Sequence, residues 1–106
     1  MDTQNDISLK LIDNRNRKRF EFELEDGATG IIDYKLQGSI VKALHTFVPE
    51  DLRGNGYGTA MVENMLSYIS DNKSKIIPVC SFVEDYLEDN SEWEHLIYKT
   101  DTSFSE

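Results

Sequence analysis

Apolar and polar residues alternate in three short runs along the N-terminal part of the chain, which is the pattern of half-buried β-strands. The runs span Ile7 to Ile12, Phe20 to Glu25 and Ile31 to Leu36. Asn, Asp and Gly residues lie between them and favour tight turns. This part of the chain is therefore predicted to form an antiparallel meander.

The next apolar run, Ile40 to Val48, is rich in β-branched and aromatic residues and predicts a fourth strand. Pro49 ends this strand because proline has no backbone N–H for a ladder. After a glycine-rich turn, apolar residues recur at intervals of three and four and predict an amphipathic helix of about four turns. These residues are Gly58, Met61, Val62, Met65, Leu66 and Ile69.

A further apolar run, Ile76 to Cys80, follows this helix. A strand-helix-strand crossover places its two strands side by side and parallel. Phe82 to Asp89 then predicts a short helix, and Trp93 to Tyr98 predicts a last apolar contact, either a helical turn or an edge strand.

These elements predict one domain over residues 1–106 of the mixed α/β (α+β) class. Its sheet is antiparallel on the N-terminal side and ends in one parallel pair around a single crossover helix. The polar ends, about residues 1–6 and 100–106, are predicted to be flexible.

Composition argues against several classes of function. The 11 basic and 20 acidic residues give a formal net charge of −9, whereas nucleic-acid binding needs clustered Lys and Arg. This balance fits plain solubility or the steering of a cationic amine. No apolar run approaches the ~20 residues of a membrane helix, so we expect a cytoplasmic protein that binds neither nucleic acid nor membrane. One cysteine and two histidines supply no disulfide and no recognisable metal site.

The turn between the fourth strand and the helix is the strongest chemical signal in the chain. Its sequence is RGNGYG at positions 53–58, and glycines at alternate positions leave backbone N–H groups unshielded. The helix that follows adds unpaired N–H groups and the positive end of its dipole, so the turn is suited to bind phosphate. The alternative is a turn that only leads into the helix.

Two known phosphate loops do not fit this spacing. A P-loop places Gly-Lys before Ser or Thr, but here Gly58 directly precedes Thr59. A dinucleotide fold needs G-x-G-x-x-G, usually after the first strand, with an acidic residue about 20 positions later. This chain instead has G-x-G-x-G after the fourth predicted strand.

The loop resembles the acetyl-CoA pyrophosphate loop of the GNAT superfamily of N-acetyltransferases, Q/R-x-x-G-x-G/A, with Arg53, Gly56 and Gly58 at the defining positions. The sequences HTFVP at 45–49 and IPVCSFV at 77–83 are similar to the small single-domain branch often called YjdJ-like. The resemblance covers roughly residues 7–98. It implies a GNAT-like fold, in which the two parallel strands splay apart.

The resemblance also implies a cofactor site. The residues that would hold the pyrophosphate of acetyl-CoA are Arg53, Gly54, Asn55, Gly56, Tyr57 and Gly58. The pantetheine arm would lie between the splayed strands and pair with backbone groups near Phe47 and Val48. The implied function is acetyl transfer to an unidentified small-molecule or peptide amine by a monomer or weak homodimer.

Three residues are candidates for catalysis. Tyr86 lies where superfamily members often carry a tyrosine that protonates the leaving CoA thiolate, although Val79 and Phe82 replace the Asn and Ala of the usual N-x-x-A-x-x-x-Y motif. The alternative for Tyr86 is a core residue with its hydroxyl at the surface. His45 and Cys80 lie near the C-terminal ends of neighbouring predicted strands, where ligands bind in such sheets. They are therefore predicted to face one site.

At that site His45 is a candidate general base and Cys80 a candidate acyl acceptor. The alternatives are a half-buried strand histidine and an ordinary buried cysteine. The predicted route is direct attack of the amine on acetyl-CoA, and an acetyl-cysteine route is its competitor. A CoA-binding module without turnover and an interaction domain without a ligand are the other functions left open.

Overall fold

A computed structural model describes residues 9–99 of the chain. Its five strands are β1 (Leu11–Asn14), β2 (Arg19–Glu23), β3 (Thr29–Gln37), β4 (Ile40–Phe47) and β5 (Lys75–Pro78). Its helices are α1 (Tyr57–Asp71) and α2 (Ser81–Asp89), and its short 3-10 segments are Glu25–Gly27, Glu50–Leu52 and Ser91–Leu96. The ends predicted to be flexible, residues 1–6 and 100–106, lie outside the described residues.

The strands form one sheet in the order of the chain, from β1 to β5. The first four pair antiparallel, and β5 pairs parallel to β4. Helix α1 connects β4 to β5, because parallel neighbours cannot be joined by a tight turn. The predicted mixed sheet, with its antiparallel meander and its crossover helix, is confirmed.

Burial alternates along the strands, so one face of the sheet packs in the core. Phe20 and Phe22 of β2 are buried, whereas Glu21 between them is partly exposed. Ile32 and Tyr34 of β3 are buried in the same way. These residues share one cluster with the apolar stripe of α1, which consists of Met61, Val62, Met65, Leu66 and Ile69. Removing this stripe from water stabilises the fold by about 25 cal/mol per Å² of apolar surface.

The C-terminal elements extend the same core. Val83 and Leu87 of α2 are buried in the shared cluster, as is Leu96 at the end of the last 3-10 segment. Ile97 then forms a single parallel bridge with Ile76 of β5. The last apolar contact is therefore both a helical turn and a minimal edge strand.

The two parallel strands part after a short paired stretch. Their pairing ends at Ala43 opposite Pro78. There the Ala43 carbonyl accepts hydrogen bonds from the N–H groups of both Val79 and Cys80, each at 2.9 Å. Strand β4 then continues to Phe47 without β5 beside it. This is the splayed pair that the family resemblance implies.

A β-bulge in β4 decides which of its side chains face the core. The register with β3 shifts by one residue and leaves Leu44 without a direct partner. His45 then lies opposite Asp33, and Thr46 lies opposite the buried Ile32. Because directly opposed residues share a face of the sheet, the bulge places Thr46 on the core side and His45 on the open side.

Near the C-terminal end of α1, the carboxylate of Asp13 joins three parts of the fold. It accepts hydrogen bonds from the hydroxyl of Tyr34, from the hydroxyl of Tyr68 at 3.0 Å and from Nε of Arg15 at 2.9 Å. Its side chain is only 10% exposed. Burial and, after it, the Asp13 carboxylate raise the pKa of both tyrosines. The sequence pattern assigned Asp13 to a turn, but it belongs to β1.

Candidate functional site

Two glycines with positive φ shape the loop between β4 and α1. Gly54 has a φ of +84° and Gly56 a φ of +87°, a conformation that glycine adopts without the strain a Cβ would cause. Gly56 directly precedes Tyr57, the first residue of α1. A Cβ at either glycine would meet no atom within 4 Å. The loop backbone therefore borders open space.

Backbone N–H groups in the first turn of α1 have no acceptor in the part of the chain that the structure describes. The first helical hydrogen bond runs from Ala60 N to Gly56 O at 3.0 Å, and no described side chain caps the helix. Within residues 9–99, nothing accepts a hydrogen bond from the N–H groups of Tyr57, Gly58 or Thr59. Unpaired donors at the positive end of a helix dipole favour an anion at this point.

Gly58 allows the first turn of α1 to lie close to α2. A Cβ at Gly58 would lie 2.9 Å from Cζ of Phe82, in the first turn of α2. Phe82 is still 42% exposed, and Phe47 and Val79 are 41% and 55% exposed. All three belong to segments that border the gap between β4 and β5. The gap therefore has an apolar rim.

Arg53 lies against the end of β4. Its Nε donates a hydrogen bond to the Val48 carbonyl at 2.8 Å, and its guanidinium carbon lies 5.8 Å from the centroid of the Phe47 ring. Among residues 9–99, Arg53 forms no ion pair. The structure thus brings a predicted phosphate ligand together with the two residues predicted to meet pantetheine. The Val48 carbonyl accepts the hydrogen bond from Arg53 with one of its two lone pairs.

Two side chains hold the loop in place. The Tyr57 hydroxyl donates a hydrogen bond to Glu25 at 3.1 Å, and Asn55 Nδ2 donates one to the Leu52 carbonyl at 3.2 Å. Burial and the neighbouring Glu25 carboxylate raise the pKa of Tyr57. For both residues the side chain anchors the loop, so the backbone N–H groups are the part that a ligand could use.

Cys80 lies at the N-cap of α2, where β5 has turned away from β4. Its Sγ lies 3.6 Å from Oγ1 of Thr46. Burial alone would raise the pKa of the Cys80 thiol, but the Thr46 hydroxyl and the backbone N–H groups of Val83, Phe82 and Thr46 outweigh it and lower the pKa. The Cys80 thiol therefore loses its proton more readily than the thiol of an ordinary buried cysteine.

Within residues 9–99, His45 forms no hydrogen bond with the Cys80 thiol. Its Nδ1 lies 3.9 Å from Oδ2 of Asp33, and its side chain is 68% exposed. The bulge in β4 gives Thr46, not His45, the position beside Cys80. The expectation that the histidine and the cysteine face one site is therefore not met. A catalytic role for His45 stays a prediction.

Tyr86 is neither a free acid nor a plain core residue. Its hydroxyl donates a hydrogen bond to Oε2 of Glu63 in α1 at 2.8 Å. Burial, followed by the Glu63 carboxylate, raises the pKa of Tyr86. Both side chains line an open cavity of about 450 Å³ between α1 and α2. The other residues that line it are Thr59, Phe82, Asp85, Asp89 and Asn90.

Three residues of this region escaped the sequence patterns. Thr46 lies within the HTFVP sequence at 45–49, but nothing there distinguishes it from its neighbours. Glu63 lies on the polar side of an amphipathic helix, and nothing in its spacing singles it out. Phe82 was predicted as part of the IPVCSFV sequence at 77–83 and of the short helix, and as a departure from the usual motif, but not as a contact of α1. The structure places its ring against Gly58.

Among the residues described, no group of three or more His, Cys, Asp or Glu side chains could hold a metal ion. No helix in that part of the chain combines the length and apolar character needed to cross a bilayer.

Comparison with known proteins agrees with this geometry. The family model described as GCN5-related N-acetyl-transferase matches residues 19–96, which contain the splayed strands, the glycine loop and both helices. The fold is also similar to that of a candidate GCN5-like N-acetyltransferase from Staphylococcus aureus solved by NMR. The TM-score is 0.63 and the identity 22%, over 91% of this chain and 92% of that one. The chain belongs to the family of GCN5-related N-acetyltransferases.

Proposed function

We propose that the protein binds acetyl-CoA and transfers its acetyl group to a small-molecule or peptide amine. The family supports acetyl transfer as the reaction class. The observation that carries acetyl-CoA as the donor is the row of unpaired N–H groups at the start of α1, next to positive-φ glycines and open space. A pyrophosphate would satisfy these donors, which the described part of the chain leaves without acceptors.

The gap between β4 and β5 suits the pantetheine arm. Beyond Ala43 the edge of β4 no longer pairs with β5, so its backbone groups can bond an extended ligand with two amides. The exposed Phe47, Val79 and Phe82 would contact the apolar parts of that ligand. Arg53 bonds the Val48 carbonyl only through Nε, at 2.8 Å, which leaves its other guanidinium N–H groups and the second lone pair of that carbonyl for CoA.

We propose direct attack of the amine as the route of transfer. Within residues 9–99 no imidazole forms a hydrogen bond with Cys80 to take its proton, and the contact at 3.6 Å with Thr46 involves a hydroxyl that is a poor base. The lowered pKa of the Cys80 thiol is the observation that favours the acetyl-cysteine route. As further parts of the proposal, the protein is cytoplasmic, is a monomer or weak homodimer, and needs no metal or nucleic acid.

Calorimetry separates this function from its competitors. Wild-type protein should bind CoA and should bind pantetheine, which lacks the pyrophosphate, at least about tenfold more weakly, a difference of about 1.4 kcal/mol. Absence of heat with CoA at millimolar concentration would identify an interaction domain and overturn the proposal. Binding without consumption of acetyl-CoA across a panel of primary amines would indicate a CoA-binding module.

A further inference from the structure

On the basis of the proposed function, we infer that Tyr86 and Glu63 form a proton-accepting pair. In this pair the attacking amine gives its proton to the Tyr86 oxygen while the Tyr86 proton moves to Glu63. Tyr86 is then the catalytic residue, since it touches the amine, and Glu63 is a positioning residue that acts through it.

The direction of one hydrogen bond carries this inference. A tyrosine hydroxyl has a single proton and two lone pairs. The Tyr86 proton lies on the bond to Glu63 Oε2 at 2.8 Å, because a carboxylate can only accept. The Trp93 side chain donates to one lone pair of the Tyr86 oxygen and lowers the Tyr86 pKa. Towards the cavity that Tyr86 and Glu63 both line, Tyr86 therefore offers its second lone pair as an acceptor. An amine N–H is the complementary donor, whereas a thiolate is not.

The role implied by the family resemblance, protonation of the leaving thiolate by Tyr86, conflicts with this arrangement. The hydroxyl would first have to leave Glu63, and the phenolate formed would then lie beside a carboxylate. Two adjacent anions in a half-buried site repel each other. Accepting a proton leaves Tyr86 neutral and Glu63 neutral, so the pair avoids this repulsion.

The transfer step balances with these groups. An amine that enters as a cation first gives one proton to water. The neutral amine then attacks the acetyl carbonyl carbon, the C–N bond forms, and the C–S bond breaks with its electron pair on sulfur. The excess proton on nitrogen moves to Tyr86 Oη as the original Tyr86 proton moves to Glu63. The thiolate takes a proton from water, and Glu63 returns its proton to water.

The charges around Tyr86 favour an amine in this cavity. Glu63 lines the cavity from α1, and Asp85 and Asp89 line it from α2. The Glu92 carboxylate, in the last 3-10 segment, raises the pKa of Tyr86. Among residues 9–99, none of these four carboxylates forms an ion pair. A negative field of this kind raises the local concentration of a cationic amine.

The test uses NMR of the protein labelled with ¹³C at tyrosine Cζ, with the Tyr86 signal assigned by Tyr86→Phe. The probes are methylammonium, tetramethylammonium, which has no N–H, and acetate, which can only accept. Methylammonium should shift the Tyr86 signal in a saturable way, with at least about a threefold larger shift than either other probe. No response, an equal response to tetramethylammonium, or a larger response to acetate would overturn the inference.

Variants test the part that Glu63 plays. Glu63→Gln keeps an acceptor for the Tyr86 hydroxyl but removes the charge, so it should fold and should weaken methylammonium binding about tenfold. The Tyr86 signal should also titrate at lower pH in this variant. Glu84→Gln removes an exposed charge of α2 outside the cavity and should change neither property. Unchanged titration of Tyr86 in Glu63→Gln would overturn the pairing.

CoA titrations of the same samples keep the two proposals apart. Failure of wild-type protein to bind CoA, with an intact methylammonium response, would refute the proposed function but leave the amine-accepting pair. Normal CoA binding without a methylammonium response would refute the pair alone.

Discussion

The two ends of helix α1 differ in how their polar groups are satisfied. Near its C-terminal end, the largely buried Asp13 carboxylate, 10% exposed, accepts hydrogen bonds from Tyr34, Tyr68 and Arg15. At its N-terminal end, the N–H groups of the first turn have no acceptor within residues 9–99. A buried polar group without a partner destabilises the fold, whereas an exposed one can bond water until a ligand binds. The first end stabilises the fold, and the second is suited to binding.

Asp13→Ala should have the largest effect on stability. It would leave the Tyr34 and Tyr68 hydroxyls without their acceptor in a buried place, at a cost of about 2–4 kcal/mol. CoA affinity should not change, because the site lies at the other end of α1. Urea unfolding measures the loss. Asp33→Ala removes a half-exposed carboxylate from the open side of the sheet. It should lower the free energy of unfolding by less than about 0.5 kcal/mol. Equal losses in the two variants would contradict the special role of Asp13.

Gly56→Ala should have the largest effect on binding. A Cβ at positive φ should tilt the loop N–H groups and narrow the space before them, lowering CoA affinity about 30-fold, or about 2 kcal/mol. Gly38→Ala is a matched control, since Gly38 also has positive φ and open surroundings but lies in the β3 to β4 turn. Both variants should lose about 1 kcal/mol of stability from backbone strain. Calorimetry with CoA should distinguish them, and equal affinities would argue against the loop as the phosphate site.

Arg53→Ala should weaken CoA binding less, by about 1–2 kcal/mol, because one charge-assisted contact with phosphate is lost while the backbone donors stay. The loss should shrink as salt rises, since the guanidinium is exposed. A salt series of calorimetric titrations checks this. A loss independent of salt would indicate that Arg53 acts through its bond to the Val48 carbonyl.

Alkaline pH should destabilise the Asp13 end of α1. The folded-state pKa of Tyr34 and of Tyr68 lies above the ordinary value of 10.0, owing to burial and then to Asp13. The stability that comes from their protonated forms is complete below about pH 10, the value for an unfolded chain, and is lost as the pH rises through the folded-state values. Urea unfolding at several pH values measures it. Tyr34→Phe should flatten the dependence, and a slope unchanged in that variant would contradict this origin.

Cys80→Ala should have the smallest effect under direct transfer. The variant should bind CoA and keep most of its activity, because the thiol then contributes only packing beside Thr46. The acetyl-cysteine route predicts instead that acetyl-CoA alone adds one acetyl mass to wild-type protein and none to the variant. Intact-mass spectrometry decides between them. Stoichiometric acetylation of Cys80 formed as fast as turnover would overturn direct transfer.

Local patterns predicted the elements well and their partners poorly. Side chains repeat every two residues in a strand and every 3.6 in a helix. The sequence alone therefore reveals the alternation around Phe20 and Phe22 and the stripe from Met61 to Ile69. The pairing of His45 with Cys80 failed because one bulged residue in β4 reverses the faces of the strand beyond it. The apolar pattern does not reveal the bulge, because no residue of β4 beyond Ala43 is fully buried.

The sequence by itself determined the order of strands and helices, the glycine loop before α1 and the family, because each depends on neighbours along the chain. Only the tertiary structure decided that Thr46 lies beside Cys80, that Glu63 holds the Tyr86 hydroxyl and that Asp13 joins three elements. All of these contacts except the one between Asp13 and Arg15 connect residues that lie 21 to 55 positions apart along the chain. They depend on strand register and on the packing of α1 against α2, which short-range spacing does not encode.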